Sequence, residues 1–92
     1  MPQIELSLVT PGYNEADKIG ENLLARKKAV EEYIGKAWEL IFVNDGSTDD
    51  TEKIVAALAT NEPRIKLISY KNNRGRGYAL RQGMAQAKGI IF

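Results

Sequence analysis

Four short runs that are apolar or alternate in polarity recur along the chain, at residues 4–10, 38–43, 65–70 and 90–92, and segments with helical spacing separate them. Such runs predict strands, and the segments between them are long enough for crossovers between parallel strands. These crossovers are almost always right-handed. The sequence therefore predicts a β-α-β-α-β-α-β order and an α/β, Rossmann-like doubly wound parallel sheet of strand order 3-2-1-4, folded as one domain over residues 1–92.

Local turn chemistry predicts where the elements begin and end. The Pro-Gly pair at residues 11–12 should end the first strand, because proline cannot donate a ladder hydrogen bond and glycine bends freely. Asn14, followed by Asp17, is typical of an N-cap, so the first helix is expected to begin there. Ser47 and Asp50 form a variant of the capping box, which predicts a second helix over about residues 48–60.

The composition excludes several kinds of chemistry. The chain has no cysteine and no histidine, which removes disulfides, thiolate or imidazole metal ligands and histidine acid–base catalysis. A net charge of +1 is too small to indicate nucleic-acid binding. The seven basic residues after Glu62 have no acidic residue among them, which suits a phosphate ligand, an anionic lipid surface or a solvated face. No apolar run could cross a bilayer and no signal-peptide pattern is present, so a cytoplasmic location is expected.

Three polar turns follow the first three predicted strands, at residues 11–15, 44–49 and 72–77. The carboxyl ends of parallel strands share one edge of the sheet, and ligands bind there in open α/β proteins. Each turn has an ordinary explanation alone, as a hydrogen-bonded turn, a helix-terminal charge or a solvated loop. Together they favour a nucleotide site, because rings stack on bases, carboxylates accept from base or ribose donors, and arginines pair with phosphate. The side chains that could do so belong to Tyr13, Glu15, Asp45, Arg74 and Arg76.

The same turns carry three longer motifs. Residues 9–15 read V-T-P-G-Y-N-E, residues 43–51 read V-N-D-G-S-T-D-D-T, and residues 73–84 read N-R-G-R-G-Y-A-L-R-Q-G-M. In order and spacing they resemble the P-x-Y-N-E, V-x-D-G-S-x-D-x-T and N-x-G-x-G-x-A-x-x-x-G segments of family 2 glycosyltransferases, which have the GT-A fold. The third segment is most similar to the branch whose acceptor is polyprenyl or dolichyl phosphate. The resemblance covers essentially the whole chain and corresponds to the N-terminal, nucleotide-binding part of such an enzyme.

The resemblance implies a donor site for a nucleotide-diphosphate sugar, either a UDP-sugar or a GDP-sugar. It implies an inverting transfer, in which an acceptor oxygen displaces the nucleoside diphosphate in one step, with a lipid phosphate at a membrane surface as the acceptor of the full-length enzyme. A divalent cation, Mg²⁺ or Mn²⁺, would neutralise the leaving diphosphate there. Arg76, with Arg74, would approach the base or the diphosphate. The nucleoside part would be lined by Pro11, Tyr13, Glu15, Val43 and Asp45.

The sequence departs from the family pattern at its end. The metal-binding D-x-D motif of the family follows the fourth strand, and this sequence ends on that strand at Phe92. No catalytic residue and no metal ligand are therefore expected here, no cation is expected to bind this chain alone, and the chain is expected to be an inactive piece of a longer enzyme. The alternative is a non-catalytic, truncated or engineered half-domain that self-associates into a homodimer, because three apolar residues end the chain and leave a sheet edge uncovered.

Overall fold

The computed structural model describes residues 3–35 and 37–92, so the predicted range 1–92 extends beyond the described residues at positions 1, 2 and 36. Four strands form a single sheet in the order β3-β2-β1-β4, and every neighbouring pair is parallel. The predicted α/β class and strand order are confirmed. The elements are β1 (Leu6–Gly12), α1 (Ile19–Ile34), β2 (Trp38–Asp45), α2 (Thr51–Asn61), β3 (Ile65–Tyr70), α3 (Arg76–Gln86) and β4 (Ile90–Ile91).

Strand β2 is the central element of the core, and all eight of its residues are buried. Its side chains alternate between the two faces of the sheet, as they must in a strand. Trp38, Leu40 and Phe42 pack on one face with α1 and α2, whereas Ile41 and Val43 pack on the other face with α3. Because helices cover both faces, the strand reads as a nearly continuous apolar run, which is the pattern that made it recognisable in the sequence.

Strand β1 does not end at Pro11, contrary to the expectation from its missing N–H group. Pro11 pairs in register with Val43, and the strand continues to Gly12. Every second residue of β1, counted back from Pro11, directs its backbone hydrogen-bonding groups toward β4. The Val9 N–H, for example, donates to the carbonyl of Phe92 at 3.0 Å. Pro11 faces that same side two residues further on, beyond the end of β4, so its missing donor interrupts no hydrogen bond between described strands.

Both helix starts were predicted too early. Helix α1 begins at Ile19 rather than after Asn14, and α2 begins at Thr51 rather than near residue 48. Asn14 and Ser47 do not cap their own helices, because the Ser47 hydroxyl accepts the Asn14 N–H at 2.9 Å and the Asn14 side-chain oxygen accepts the Thr48 N–H at 2.7 Å. The first turn of α2 is held by Asp49 instead, whose carboxylate accepts the Thr51 N–H at 3.0 Å.

A buried carboxylate at the opposite, amino-terminal edge of the sheet was not anticipated. Glu39 is fully buried, and its carboxylate accepts the Ser7 hydroxyl at 2.7 Å, the Lys66 ammonium at 2.8 Å and the Lys88 N–H at 2.7 Å. The Ser7 oxygen accepts in turn from the Gly89 N–H at 2.8 Å. Burial acts to raise the pKa of Glu39, but these hydrogen bonds outweigh it and lower the pKa below its ordinary value. The network joins three strands to the segment that leads into β4.

Candidate functional site

A cleft of about 300 Å³ opens at the carboxyl edge of the sheet, where three turns meet. We call it the turn cleft, and the turns are the first (residues 13–18), the second (residues 46–50) and the third (residues 71–75). The parallel topology places the turns together, because each one follows the carboxyl end of a strand. The turn cleft is lined by Pro11, Gly12, Tyr13, Glu15, Asp45, Asn73, Gly75 and Arg76.

Five of the seven residues that the sequence suggested for a nucleotide site line the turn cleft, namely Pro11, Tyr13, Glu15, Asp45 and Arg76. Tyr13 presents 47% of its surface to solvent although it is a large aromatic residue. A ring exposed at the rim of a polar cleft can stack on a planar ligand. The cleft therefore combines an aromatic surface, two carboxylates and a guanidinium group within one small volume.

Asp45 organises the third turn from the end of β2. One carboxylate oxygen accepts the Tyr70 hydroxyl at 2.7 Å and the Arg74 N–H at 2.8 Å, and the other accepts the Gly75 N–H at 3.1 Å. The Asn73 side chain also donates to the Asp45 carbonyl at 3.1 Å. A carboxylate has about four acceptor positions, and three are used here, so Asp45 can still accept from a ligand in the cleft.

The ionisation of Asp45 is fixed by these donors. Its burial, at 5% exposure, acts to raise the pKa, but the N–H groups of Arg74 and Gly75 and the Tyr70 hydroxyl more than compensate and lower the pKa below its ordinary value. Burial and the hydrogen bond to Asp45 raise the pKa of Tyr70 above its ordinary value. At neutral pH the cleft therefore holds an ionised carboxylate, with the tyrosine as a neutral donor to it.

The first turn is fastened to the second by hydrogen bonds in both directions. Three successive N–H groups, those of residues 14, 15 and 16, donate to the side chains of Ser47, Thr51 and Asp49 at 2.9, 2.9 and 3.1 Å. The side-chain oxygen of Asn14 accepts the N–H of Thr48 at 2.7 Å and that of Asp49 at 3.3 Å. The Thr51 hydrogen bonds are the main cause of the lowered pKa of Asp49. These hydrogen bonds fix the backbone that carries Tyr13 and Glu15.

Two of the suggested residues lie outside the turn cleft. The side chain of Val43 is fully buried, and a methyl group added at Gly83 of α3 would approach it to 3.1 Å, so Val43 is part of the packing between β2 and α3. The Arg74 guanidinium lies 5.5 Å from the centre of the Tyr78 ring, in a cation–π contact. The backbone of Arg74, rather than its side chain, connects it to Asp45.

Sequence reasoning missed four residues that shape the site. Gly12, Asn73 and Gly75 line the cleft, and Tyr70 holds the Asp45 carboxylate. A Cβ on Gly12 would come within 2.6 Å of both the Glu15 carboxylate and the Phe42 ring, so only glycine fits that close approach. The predicted strand order offered a signal for Tyr70. Tyr70 is the last residue of β3, which neighbours β2, and it pairs with Asp45.

The described residues do not by themselves form a metal centre. Among residues 3–35 and 37–92, no three acidic, histidine or cysteine side chains come together as ligands for an ion. The two carboxylates of the cleft, those of Glu15 and Asp45, fall short of the six oxygen ligands of an octahedral Mg²⁺ ion. An ion bound in the cleft would therefore need further oxygen ligands from a substrate, from water or from other residues. In the same described ranges, no helix has the length and apolar character needed to cross a membrane.

A second, larger groove is separate from the turns. Its volume is about 650 Å³, and it lies between α1 and the β1–β4 edge of the sheet. The exposed side chains of Tyr33, Ile90 and Phe92 border it, at 89, 71 and 74% exposure. The groove is lined by Glu5, Leu6, Leu8, Arg26, Ala29, Val30, Tyr33, Ile90 and Phe92.

The fold and the turn cleft define a doubly wound α/β protein with a polar ligand cleft at the carboxyl edge of a 3-2-1-4 sheet. Residues 7–92 match the profile of the family described as Glycosyl transferase family 2. The chain belongs to this family, and the resemblance seen in its three motifs is confirmed. Its sheet and helices correspond to the Rossmann-like part of the GT-A fold, as predicted.

Several curated relatives are similar over nearly the whole chain. The dolichyl-phosphate beta-glucosyltransferase of Saccharomyces cerevisiae is 35% identical, and the match covers 95% of this chain and 28% of the relative. An uncharacterized glycosyltransferase of Bacillus subtilis is 38% identical, with 94% and 26% covered. The prophage bactoprenol glucosyl transferase homolog of Escherichia coli is 36% identical, with 94% and 28% covered. The chain thus spans little more than a quarter of the length of these relatives.

Solved structures agree with the family. A mannosyltransferase from Pyrobaculum calidifontis, solved in complex with GDP-Man and Mn²⁺, superposes with a TM-score of 0.76 at 28% identity, over 92% of this chain and 25% of the other. The TarS protein of S. aureus superposes with a TM-score of 0.74 at 26% identity, over 96% and 26% of the two chains.

Proposed function

We propose that this chain binds the nucleoside diphosphate part of a nucleotide-sugar donor in the turn cleft. The observation that carries the proposal is the convergence of the three family motifs on one cleft, with Tyr13, Glu15, Asp45 and Arg76 on its walls. Residues 1–92 would then act as the nucleotide-binding domain of a longer glycosyltransferase. The GDP-Man complex of the Pyrobaculum neighbour supports this assignment, because the superposed region covers 92% of this chain.

Each side chain has a role that its chemistry allows. The exposed Tyr13 ring stacks on the base or ribose, and the open acceptor position of Asp45 receives a hydrogen bond from the nucleoside. Glu15 adds a second acceptor at the cleft wall. Arg76 opens helix α3, so its guanidinium and the positive end of the helix act together on the diphosphate. Val43 supports the cleft from the core, and Arg74 adds positive charge at its margin.

For the whole protein we propose an inverting sugar transfer. An acceptor oxygen attacks the anomeric carbon from the side opposite the leaving group, the bond from that carbon to the diphosphate oxygen breaks, and the nucleoside diphosphate leaves with the electron pair. The dolichyl-phosphate and bactoprenol enzymes among the relatives support a polyprenyl or dolichyl phosphate as the acceptor. The Mn²⁺ in the neighbour's complex supports a divalent cation, Mg²⁺ or Mn²⁺, held by residues of the full-length enzyme outside this chain. The catalytic inactivity of this chain alone and the cytoplasmic location remain predictions.

A matched pair of arginine variants tests the proposal. Arg76 lines the cleft, whereas Arg74, two residues before it, stacks on the Tyr78 ring, so Arg74→Ala controls for the loss of one positive charge. Arg76→Ala should weaken GDP or UDP binding by roughly 10- to 100-fold, the value of one or two charge-assisted hydrogen bonds, measured by calorimetry. Arg74→Ala should weaken it by no more than about threefold, as expected for a screened charge. Equal effects of the two changes, or the absence of binding by the unaltered chain, would contradict the proposal.

A second candidate function is self-association, as a dimer of two copies of this chain, through the larger groove between α1 and the β1–β4 edge. Strand β4 lies at the edge of the sheet, and the exposed Ile90 and Phe92 lie beside that edge. Two such edges can pair around a twofold axis and cover both grooves, which would bury apolar surface and satisfy edge hydrogen-bonding groups together. Light scattering at increasing concentration should show a dimer that Phe92→Asp abolishes. A monomer throughout the concentration series would contradict this candidate.

A further inference from the structure

We propose that Asn14 is a positioning residue for the turn cleft, although its own side chain does not line the cleft. The inference rests on the proposed nucleotide-binding function, because it explains how two of the contact residues are held in place. Asn14 lies between Tyr13 and Glu15, which both line the cleft. Within the described residues, the hydrogen bonds found for Asn14 are with the second turn.

The backbone conformation of Asn14 differs from that of its neighbours. Asn14 is the one described non-glycine residue with a positive φ, at 51°, a left-handed conformation that asparagine tolerates better than most residues. The backbone at this position sets the relative directions of the residues on either side. A change of φ to the ordinary negative range would turn Tyr13 and Glu15 relative to each other, and they could no longer face the same cleft.

The hydrogen bonds of Asn14 depend on that conformation. The left-handed backbone lets its N–H reach the Ser47 hydroxyl while its side-chain oxygen accepts the N–H groups of Thr48 and Asp49, and its amide group contacts the Thr48 hydroxyl at 3.3 Å. These N–H groups lie just before α2, in a turn with no helical partner for them. The side chain therefore supplies acceptors that the second turn lacks, and the first turn is fixed to the second as a consequence.

The second turn is fixed to the rest of the site as well. It follows Asp45, which holds the third turn through the Arg74 and Gly75 N–H groups. Asn14 thus completes a chain of contacts from the first turn, through the second, to the third. Without the Asn14 side chain, the first turn keeps only the N–H bonds of residues 14–16, and its further ordering when a nucleotide binds would reduce the affinity.

The test compares two substitutions at this position with a control elsewhere. Asn14→Gly keeps the positive φ accessible and removes only the side-chain hydrogen bonds, whereas Asn14→Asp keeps the acceptor for Thr48 and Asp49. Asn61→Gly makes the same change of residue at the exposed end of α2. GDP and UDP binding should weaken about tenfold in Asn14→Gly, which corresponds to about 1.4 kcal/mol. It should stay within about threefold of the unaltered chain in Asn14→Asp and Asn61→Gly.

Hydrogen exchange separates positioning from general stability. The amides of residues 14–16, 48 and 49 should exchange faster in Asn14→Gly, while those of β2 keep their protection. Val30→Ala, in the buried far end of α1, lowers stability without touching the turns and should leave the affinity of the folded protein unchanged. If Asn14→Gly does not fold, weaker binding by a folded Asn14→Asp variant would instead contradict the proposal.

The outcomes distinguish this inference from the function on which it rests. If the unaltered chain binds neither nucleotide, the proposed function fails, and faster exchange of the turn amides in Asn14→Gly still supports the fastening role. If the unaltered chain binds and Asn14→Gly binds equally well, the nucleotide site stands and the positioning role of Asn14 is wrong. Unchanged exchange at residues 14–16 in Asn14→Gly would also overturn it.

Discussion

Glu39 and Asp45 lie on the same strand, six residues apart, and each is a buried carboxylate whose pKa is lowered by hydrogen bonds. They differ in their partners. Glu39 pairs with the ammonium group of Lys66, at 2.8 Å, and lies at the amino-terminal edge of the sheet. Asp45 accepts two backbone N–H groups and a tyrosine hydroxyl, and in the described part of the chain no lysine or arginine nitrogen lies within ion-pair distance of it.

The two carboxylates differ in how their charge is balanced and in whether they border the turn cleft. Glu39 is neutralised by its own cation, is fully buried and does not line the turn cleft. Asp45 is held ionised by neutral donors and borders the turn cleft. Its carboxylate can therefore accept a hydrogen bond from a ligand that binds there. A buried carboxylate that is oriented by N–H groups and still borders a cleft is a good candidate for ligand binding.

The largest effect is expected from Gly46→Ala, at the turn that follows Asp45. Gly46 has a φ of 75°, and an added Cβ would collide with the backbone of Asn73 and lie 2.6 Å from the carbonyl carbon of Asn72. Strain and overlap together should reduce the free energy of unfolding by roughly 4 kcal/mol. Gly75→Ala is the control, because its φ is 92° but a Cβ there meets no atom within 4 Å, and it should cost about 1–2 kcal/mol in the same urea titration. Equal costs would show that the close approach of the second and third turns is unimportant.

Neutralising each carboxylate gives the next largest effect and the most direct contrast. Asp45→Asn should reduce the free energy of unfolding by about 2–3 kcal/mol, because an amide cannot accept all three of its donors, and should weaken nucleotide binding at least about tenfold. Glu39→Gln should cost a similar amount of stability, about 2 kcal/mol, since it leaves the Lys66 partner unpaired at the sheet edge. It should leave the affinity within about twofold. Urea unfolding and calorimetry measure the two quantities, and a loss of affinity in Glu39→Gln would remove the contrast.

The pH dependence of stability should report both carboxylates. The pKa of each is lower in the folded chain than the ordinary values of 4.5 for glutamate and 3.8 for aspartate. Their contribution is therefore fully present above those values and is lost as the pH falls through the folded pKa values. Urea titrations from pH 7 to pH 3 should show stability decreasing below about pH 5, with a shallower decrease in either Glu39→Gln or Asp45→Asn. A decrease in both variants that is as steep as in the unaltered chain would contradict the assignment.

The smallest effects on nucleotide affinity should come from one donor at each carboxylate. Tyr70→Phe removes the hydroxyl that donates to Asp45 and should cost about 1 kcal/mol of stability and weaken nucleotide binding about threefold. Lys66→Met removes the cation of Glu39 but keeps an apolar stem, and because the buried carboxylate retains the Ser7 hydroxyl and the Lys88 N–H, the cost should be about 2 kcal/mol. It should not change the affinity. Thermal unfolding and calorimetry on the two variants measure this, and an affinity lost in Lys66→Met but kept in Tyr70→Phe would reverse the account.

The sheet could be predicted from the sequence because its signals are local. Strand β3 was expected at residues 65–70 and is found there; the alternation of strands and helices predicts a parallel sheet, and 3-2-1-4 is a usual order in doubly wound sheets. The convergence of Tyr13, Asp45 and Arg76 on one edge followed from parallel topology alone. These predictions needed no knowledge of which side chains touch.

The rest depended on contacts between residues far apart in sequence. Asn14 and Ser47 have the residue types of helix caps, but the Ser47 hydroxyl accepts the Asn14 N–H and the Asn14 side-chain oxygen accepts the Thr48 N–H, across 33 and 34 residues of sequence. In the sequence Glu39 is one polar position in an apolar strand. Only the folded chain shows that the Lys66 ammonium group and the Lys88 backbone N–H donate to it. Val43 belongs to a family motif, yet its side chain is fully buried against α3.

A nuclear magnetic resonance titration of the 92-residue chain with GDP and with UDP, in the presence of Mg²⁺, tests nucleotide binding in the turn cleft directly. We expect one nucleotide to shift the backbone signals of Tyr13, Asp45 and Arg76 together, with a single saturation curve, while the signals of Glu39 and its neighbours in β2 do not move. Shifts that avoid all three turns, or that appear only at the amino-terminal edge around Glu39, would contradict it.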